Sequence, residues 1–197
     1  MNMGVKSLCI ALLLGASLHM PAQAAGKARA FDAQRAVKAF HDHCVVNRSR
    51  PARFTETVNA IATPMDVYSA HPYAMGEQGH GWWMREGDAV FFLTPLSRCR
   101  MFILSGNMDG LPAAFDRMAN NPPEGLASHA FEYEGRAMRN DFIWTKKSAR
   151  PTERPTRIQL LPSRKDRLDP PAARWILTAD DDIGTPAPVE WDPNGTP

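Results

Sequence analysis

RCRMFILS, residues 98–105, is the stretch whose reading organises the rest of the chain. Cys99, Met101 and Ile103 alternate with Arg100, Phe102 and Leu104. A period of two is that of a β-strand, whose successive side chains point to opposite faces. The alternation therefore sets Cys99 among apolar neighbours on one face. Just before it, WWMREGDAVFFL (residues 82–93) reads as a β-hairpin around Glu86-Gly87-Asp88. Just after it, NMDG makes a turn and LPAAFDRMAN forms a short helix with Leu111, Phe115 and Met118 on one side. Asn121-Pro122-Pro123 stops that helix.

Further towards the N-terminus the period changes. From Asp32 to Val46, Ala33, Val37, Phe40 and Cys44 recur at helical spacing, with Asp32 as N-cap. A second helix is predicted from Ser49 to Ala62. Ser49 caps it, Pro51 suits the first turn, Phe54, Val58 and Ile61 form its stripe, and Pro64 stops it. Pro64 to Gly81 shows no sustained period and reads as a long loop. Beyond the third helix, residues 129–147 read as two strands turning at Glu134-Gly135, and TRIQLLP (156–162) and ARWILTAD (173–180) as two more. The fold class is α+β: an antiparallel sheet with two N-terminal helices and one further helix packed on it.

The ends read differently from the middle. Lys6, the apolar run SLCIALLLGASL and the small residues of Ala22-Gln23-Ala24 have the layout of a secretory signal peptide, with an apolar core too short for an ordinary membrane-spanning helix. The expected organisation is a signal peptide over 1–24, one domain over 25–180 and a Pro-rich, acidic, disordered tail over 181–197. The expected location is the periplasm or the exterior, with no membrane span. The mature chain would hold 197 − 24 = 173 residues, enough for one domain with a proper core. The chain has 23 basic and 21 acidic residues, and loss of Lys6 leaves 22 − 21 = +1. Such near-neutrality argues against a nucleic-acid binder.

Two cysteines survive cleavage, Cys44 and Cys99, both on core-facing positions. In an oxidising compartment an even pair reads first as a disulfide. Cys44 lies in AFHDHCVV (39–46), which invites two other readings. On a helix His41 and His43 point about 200° apart and cannot share one small ion. A catalytic thiol needs a nearby base and a lowered pKa, and no Cys-enzyme motif surrounds Cys44. The structural disulfide is the favoured reading; no metal site, cofactor or catalytic residue is assigned. Ser105-Gly106 lacks the frame of a nucleophile elbow, and Gly76, Gly79 and Gly81 do not form a phosphate-binding loop.

HPYAMGEQGHGWW (71–83) concentrates His71, Tyr73, Glu77, His80, Trp82 and Trp83. Aromatics and a carboxylate in a conformable segment are common ligand contacts. Between Lys146 and Arg174 stand nine basic residues against Glu153, Asp166 and Asp169, a local excess of +6. That stretch could face an anionic envelope polymer. The plainer reading is a solvated hairpin balanced by Asp180, Asp181, Asp182, Glu190 and Asp192, because prolines break the run and no aromatic is interleaved.

The layout resembles that of short, uncharacterised exported proteins of Gram-negative bacteria. In these a first helix ends in a Cys followed by small apolar residues (here HCVV). A later strand carries the partner Cys just before an amphipathic helix (here RCRMFILSGNMDGLPAAFDRMA), and a Trp-bearing strand (here DFIWTKK) and a final strand pair follow. The long basic linker and the Pro-rich tail depart from that pattern. The resemblance implies the compartment, the disulfide and the lack of an obvious catalytic centre.

The function expected from the sequence is a non-enzymatic periplasmic binding domain, with 71–83 as its contact surface and an envelope protein or anionic envelope polymer as partner. The alternative is a small envelope hydrolase or metal-dependent enzyme using His71, Glu77 and His80. An enzyme requires these side chains to converge in a concave pocket. Denaturing intact mass of protein recovered from an exporting host tests the first step: the chain is expected to begin near Ala25 and to take up alkylating label only after reduction.

Overall fold

The computed structural model describes residues 30–133, 136–146, 155–163 and 173–181. Residues 1–29, including the segment expected to be a signal peptide, Glu134-Gly135, where a turn is expected, residues 147–154 and 164–172 of the basic stretch, and residues 182–197, expected to be a disordered tail, lie outside them.

Helix α1 spans Ala33–Ala39, capped by Asp32, whose side chain accepts from the Arg35 N–H at 2.9 Å. It runs directly into a π-helical segment, Phe40–Val45, in which the Val46 N–H reaches back to the His41 carbonyl. The wider turn brings Phe40, Cys44 and Val45 inward together. Helix α2, Pro51–Asn59, starts on its proline and buries Phe54 and Val58. Then come β1 (Ala62–Pro64), α3 (Val67–Ala74), β2 (His80–Met84), β3 (Ala89–Leu93) and β4 (Cys99–Ile103). After α4 (Leu111–Ala119) follow β5 (Leu126–Tyr133), β6 (Arg136–Lys146), β7 (Thr156–Pro162) and β8 (Trp175–Asp180).

The segment read as a loop from Pro64 to Gly81 is therefore corrected: it contains the end of β1 and all of α3. The signal was weak because Pro72 sits inside α3 and has no N–H for the Tyr68 carbonyl four residues back. Met75 ends the helix in the left-handed region at φ 49°.

The eight strands form one antiparallel sheet in the order β1-β2-β3-β4-β8-β7-β6-β5. Each half is a four-strand meander, and the halves meet where β4 pairs with β8, Met101 opposite Leu177. On one face Phe91, Met101, Leu177, Ile158, Leu160 and Trp144 pack against α1, the π-helical segment, α2 and α4. On the other, Val90, Phe92, Phe102 and Ile176 pack against Ala70 and Tyr73 of α3. All five residues of β3 and of β4 are buried, which makes these the only strands fully covered on both faces among the described residues. Gly81 permits the close seat of α3: a Cβ there would stand 3.0 Å from the Met65 sulfur and 3.1 Å from the Ala70 Cβ. At the far edge, β5 carries an irregularity between Ala130 and Glu132, a device that discourages further strand pairing.

Cys44 and Cys99 are bonded, with Cα atoms 5.3 Å apart and 55 residues apart in sequence, and both are fully buried. The bond fastens the π-helical segment to β4. Among the described residues no helix is long and apolar enough to cross a membrane. A Cys44→Ala/Cys99→Ala protein is expected to lose about 4 kcal/mol of stability in the chain-entropy picture. For a domain of this size that lowers Tm by roughly 10 °C, which thermal melts of the two proteins would measure.

Candidate functional site

The segment singled out from sequence divides between the two faces of the sheet. Helix α3 is anchored from below and open above. Asp66 caps it, accepting from the N–H groups of Tyr68 (2.9 Å) and Ser69 (3.0 Å) and from the Ser69 hydroxyl (2.6 Å), and these bonds hold its carboxyl below the ordinary value. Tyr73 is buried, its ring 5.3 Å from that of Phe102 and edge-on to Trp83 at 6.4 Å, and burial pushes its phenol up. The opposite side of the helix presents Val67 and Tyr68, 82% and 90% exposed, with His71 and Pro72 also exposed.

Strand alternation sends Trp82 and Trp83 to opposite faces. Trp82 is buried edge-on to Phe54 at 5.3 Å, and its indole N–H donates to the Asn59 side chain at 3.0 Å. It is a core residue. Trp83, 40% exposed, lies on the α3 side against Tyr73. His80 is exposed at the start of β2, its ring 6.2 Å from that of Trp82.

Glu77 is engaged by cations. It accepts from Arg98 and, at 3.0 Å, from Arg100. Arg100 also donates to the Ala74 carbonyl at 3.4 Å, and Arg98 pairs with Asp180. These bonds pin the end of α3 to the first residues of β4. Beside them a groove of about 290 Å³ is lined by Glu77, Gln78, Thr94, Pro95, Leu96 and Arg98, with Leu96 standing out into solvent. No group of three His, Cys, Asp or Glu side chains able to hold a metal exists among the described residues, so His71, Glu77 and His80 do not form such a set. His41 contacts Asp42 at 3.1 Å, whereas His43 lies against Thr57 and Phe91, so the two histidines have separate surroundings.

The structure adds polar residues that the sequence reading passed over. On the α3 side of the sheet, Asp141 accepts from Arg157 at 3.0 and 2.5 Å and from Gln159 at 2.9 Å, and Gln159 accepts from Thr178 at 3.2 Å. Arg157 also lies 3.8 Å over the Phe131 ring. Arg48, buried, donates to the Val45 carbonyl and to Thr156, both at 2.8 Å, and pairs with Asp181. Asp180 and Asp181 thus face Arg98 and Arg48. Of the basic stretch, Arg157 is held as described and Arg174 donates to the Gly106 carbonyl at 3.3 Å. One signal for Asp141 was present in the sequence: an acid within a strand run is disfavoured unless something pairs with it.

No protein-family model, no curated protein and no solved structure matches this chain.

Asp141→Ala would leave the Arg157 guanidinium, whose side chain is 14% exposed, without its carboxylate. Removing one partner of a buried pair costs about 3–5 kcal/mol. The double change Asp141→Leu/Arg157→Met is expected to restore much of that loss, as urea denaturation of the single and double variants would show.

Proposed function

We propose that this protein is an exported, non-enzymatic binding domain of the cell envelope, kept in one shape by the Cys44–Cys99 bond, and that its contact surface is the outer side of α3 with Trp83 beside it. The observation that carries this reading is the pair Val67 and Tyr68, among the most exposed large apolar side chains of the described residues, on a helix fixed from beneath by Tyr73, Ala70 and Glu77. Apolar groups presented on a rigid element suit recognition, because little freedom is lost when a partner covers them. Tyr and Trp are also the residue types that anchor interfaces.

Of the contact set expected from sequence, His71 and Trp83 are exposed on this side and Tyr73 and Glu77 support it from within, whereas His80 is exposed beside Trp82, and Trp82 belongs to the core on the opposite face of the sheet. The partner that suits this surface is an envelope protein. Asp66 at the head of α3 and the apolar pair after it offer no positive charge to an anionic polymer. Export rests on the N-terminal layout, in which a signal peptide ends near Ala24 and the mature chain stays in the periplasm or leaves the cell. The resemblance to two-cysteine exported proteins of Gram-negative bacteria supports the same compartment.

A photo-activated cross-linking residue placed at position 68 in the exporting cell, and another at exposed Glu132 on β5, would test this reading. The expected result is an adduct of one defined mass at position 68 and none at 132. Binding of the identified partner should weaken at least tenfold in Val67→Ser/Tyr68→Ala, a loss of about 1.4 kcal/mol, with an unchanged melting curve. Equal adducts at both positions, or unchanged affinity in the variant, would overturn it.

A further inference from the structure

The β3–β4 connection lines the groove beside the end of α3, and it is a stiff loop. The Thr94 N–H donates to the Arg98 carbonyl and the Ser97 N–H to the Thr94 carbonyl, both at 3.0 Å, and the Arg98 N–H donates to the Thr94 hydroxyl at 3.1 Å. Pro95 fixes its own φ, and Ser97 takes the left-handed region at φ 63°. Between them Leu96 is held out with 82% of its surface exposed. The charged groups of the groove are already paired, Glu77 with Arg98 and Arg100, and Arg98 with Asp180. What its volume of about 290 Å³ offers an occupant is the apolar surface of Pro95 and Leu96 and the stems of Gln78 and Arg98.

Strand β8 leaves the sheet at the same place. Cys99 stands opposite Ala179, so the next pair outward is Arg98 with Asp180, and their side chains bond. Asp181 accepts from Arg48 and, at 3.0 Å, from the Thr156 hydroxyl. The last 197 − 181 = 16 residues, DIGTPAPVEWDPNGTP, therefore start one residue beyond a carboxylate bonded to a groove-lining arginine. They carry Ile183, Val189 and Trp191. The stretch 182–191 reaches on the order of 30 Å when extended, ample for a groove at its own root. Pro186 and Pro188 restrict the chain beforehand, so that ordering it costs less entropy. Composition of this kind favours disorder where a segment has nothing to bury against, and the groove supplies that surface.

We propose that the groove is the docking site of the chain's own C-terminal segment, with Val189 and Trp191 laid against Pro95 and Leu96. Asp180 and Asp181, each held by an arginine, fix the root of the segment, and the tether gives it a high effective concentration at the groove. The docked segment shares no lining residue with the outward pair Val67 and Tyr68.

A photo-activated cross-linking residue at exposed Gln78 of the full oxidised chain tests this, in a mixture of isotopically light and heavy protein with adducts mapped by peptide mass spectrometry. The expected adducts join position 78 to residues 183–191 of the same chain. Their yield should fall about tenfold in Val189→Ser/Trp191→Ala, which removes the apolar side chains assigned to the groove, with an unchanged melting curve. Adducts joining light to heavy chains would assign the groove to a second copy and overturn the proposal. Absence of adducts to 183–191, or a yield unchanged in the variant, would overturn it as well.

Discussion

The bond between Cys44 and Cys99 joins the N-terminal helical layer of this protein to its sheet, where both cysteines are fully buried. Cys99 begins β4, the strand next to the seam between the two meanders and covered on both faces. Cys44 lies in the π-helical segment, where the widened turn directs Phe40, Cys44 and Val45 inward at once. A regular α-helix carries its apolar residues in a narrower stripe. Helical spacing already sets Phe40 and Cys44 on one side, and the wider turn adds Val45 to it, so one short segment both fills the core and reaches the sheet with a sulfur. Through it, α1 and the strands share one origin of register, and α2 and α4 pack beside a helix that cannot slide.

Charge is handled by pairing across the fold. Arg98 and Arg100 converge on Glu77, Asp180 closes on Arg98, Asp141 takes Arg157, and Asp181 takes buried Arg48. Of these, Arg48, Arg100 and Asp141 are buried; buried ions are tolerated only when partnered, and here the partners come from distant parts of the chain. The arrangement has a consequence for recognition. Glu77, the one carboxylate in the 71–83 segment, acts as a brace for the end of α3, which leaves the outward apolar side of that helix as the distinctive surface.

Much of the fold was legible because local periods and punctuation agreed with it. The alternation around Cys99, the stripe through Phe40 and Cys44, Pro51 at the head of α2 and the hairpin at Gly87 each act within a few residues, where sterics and hydrogen bonding leave few options. Helix α3 was hidden because its capping signal, Asp66, is followed by a proline-bearing stretch of only eight residues, and because its burial depends on a glycine, Gly81, that belongs to another element. The candidate surface was half legible. Trp82 and Trp83 are adjacent in sequence, and only the placement of α2 on one face and α3 on the other makes the first a core residue and the second a surface one.

By itself the sequence determined the α+β class, most of the helices and strands, and the identity of the two cysteines able to pair, since these follow from residue spacing and count. Tertiary structure decided the strand order, the π-helical turn, the second helical layer and the partners of the buried charges Arg48, Arg100 and Asp141. The reason is physical: periodicity states which side of an element is apolar, but not which element covers it, and ion pairs between residues such as Arg48 and Asp181, 133 apart, leave no mark on local sequence.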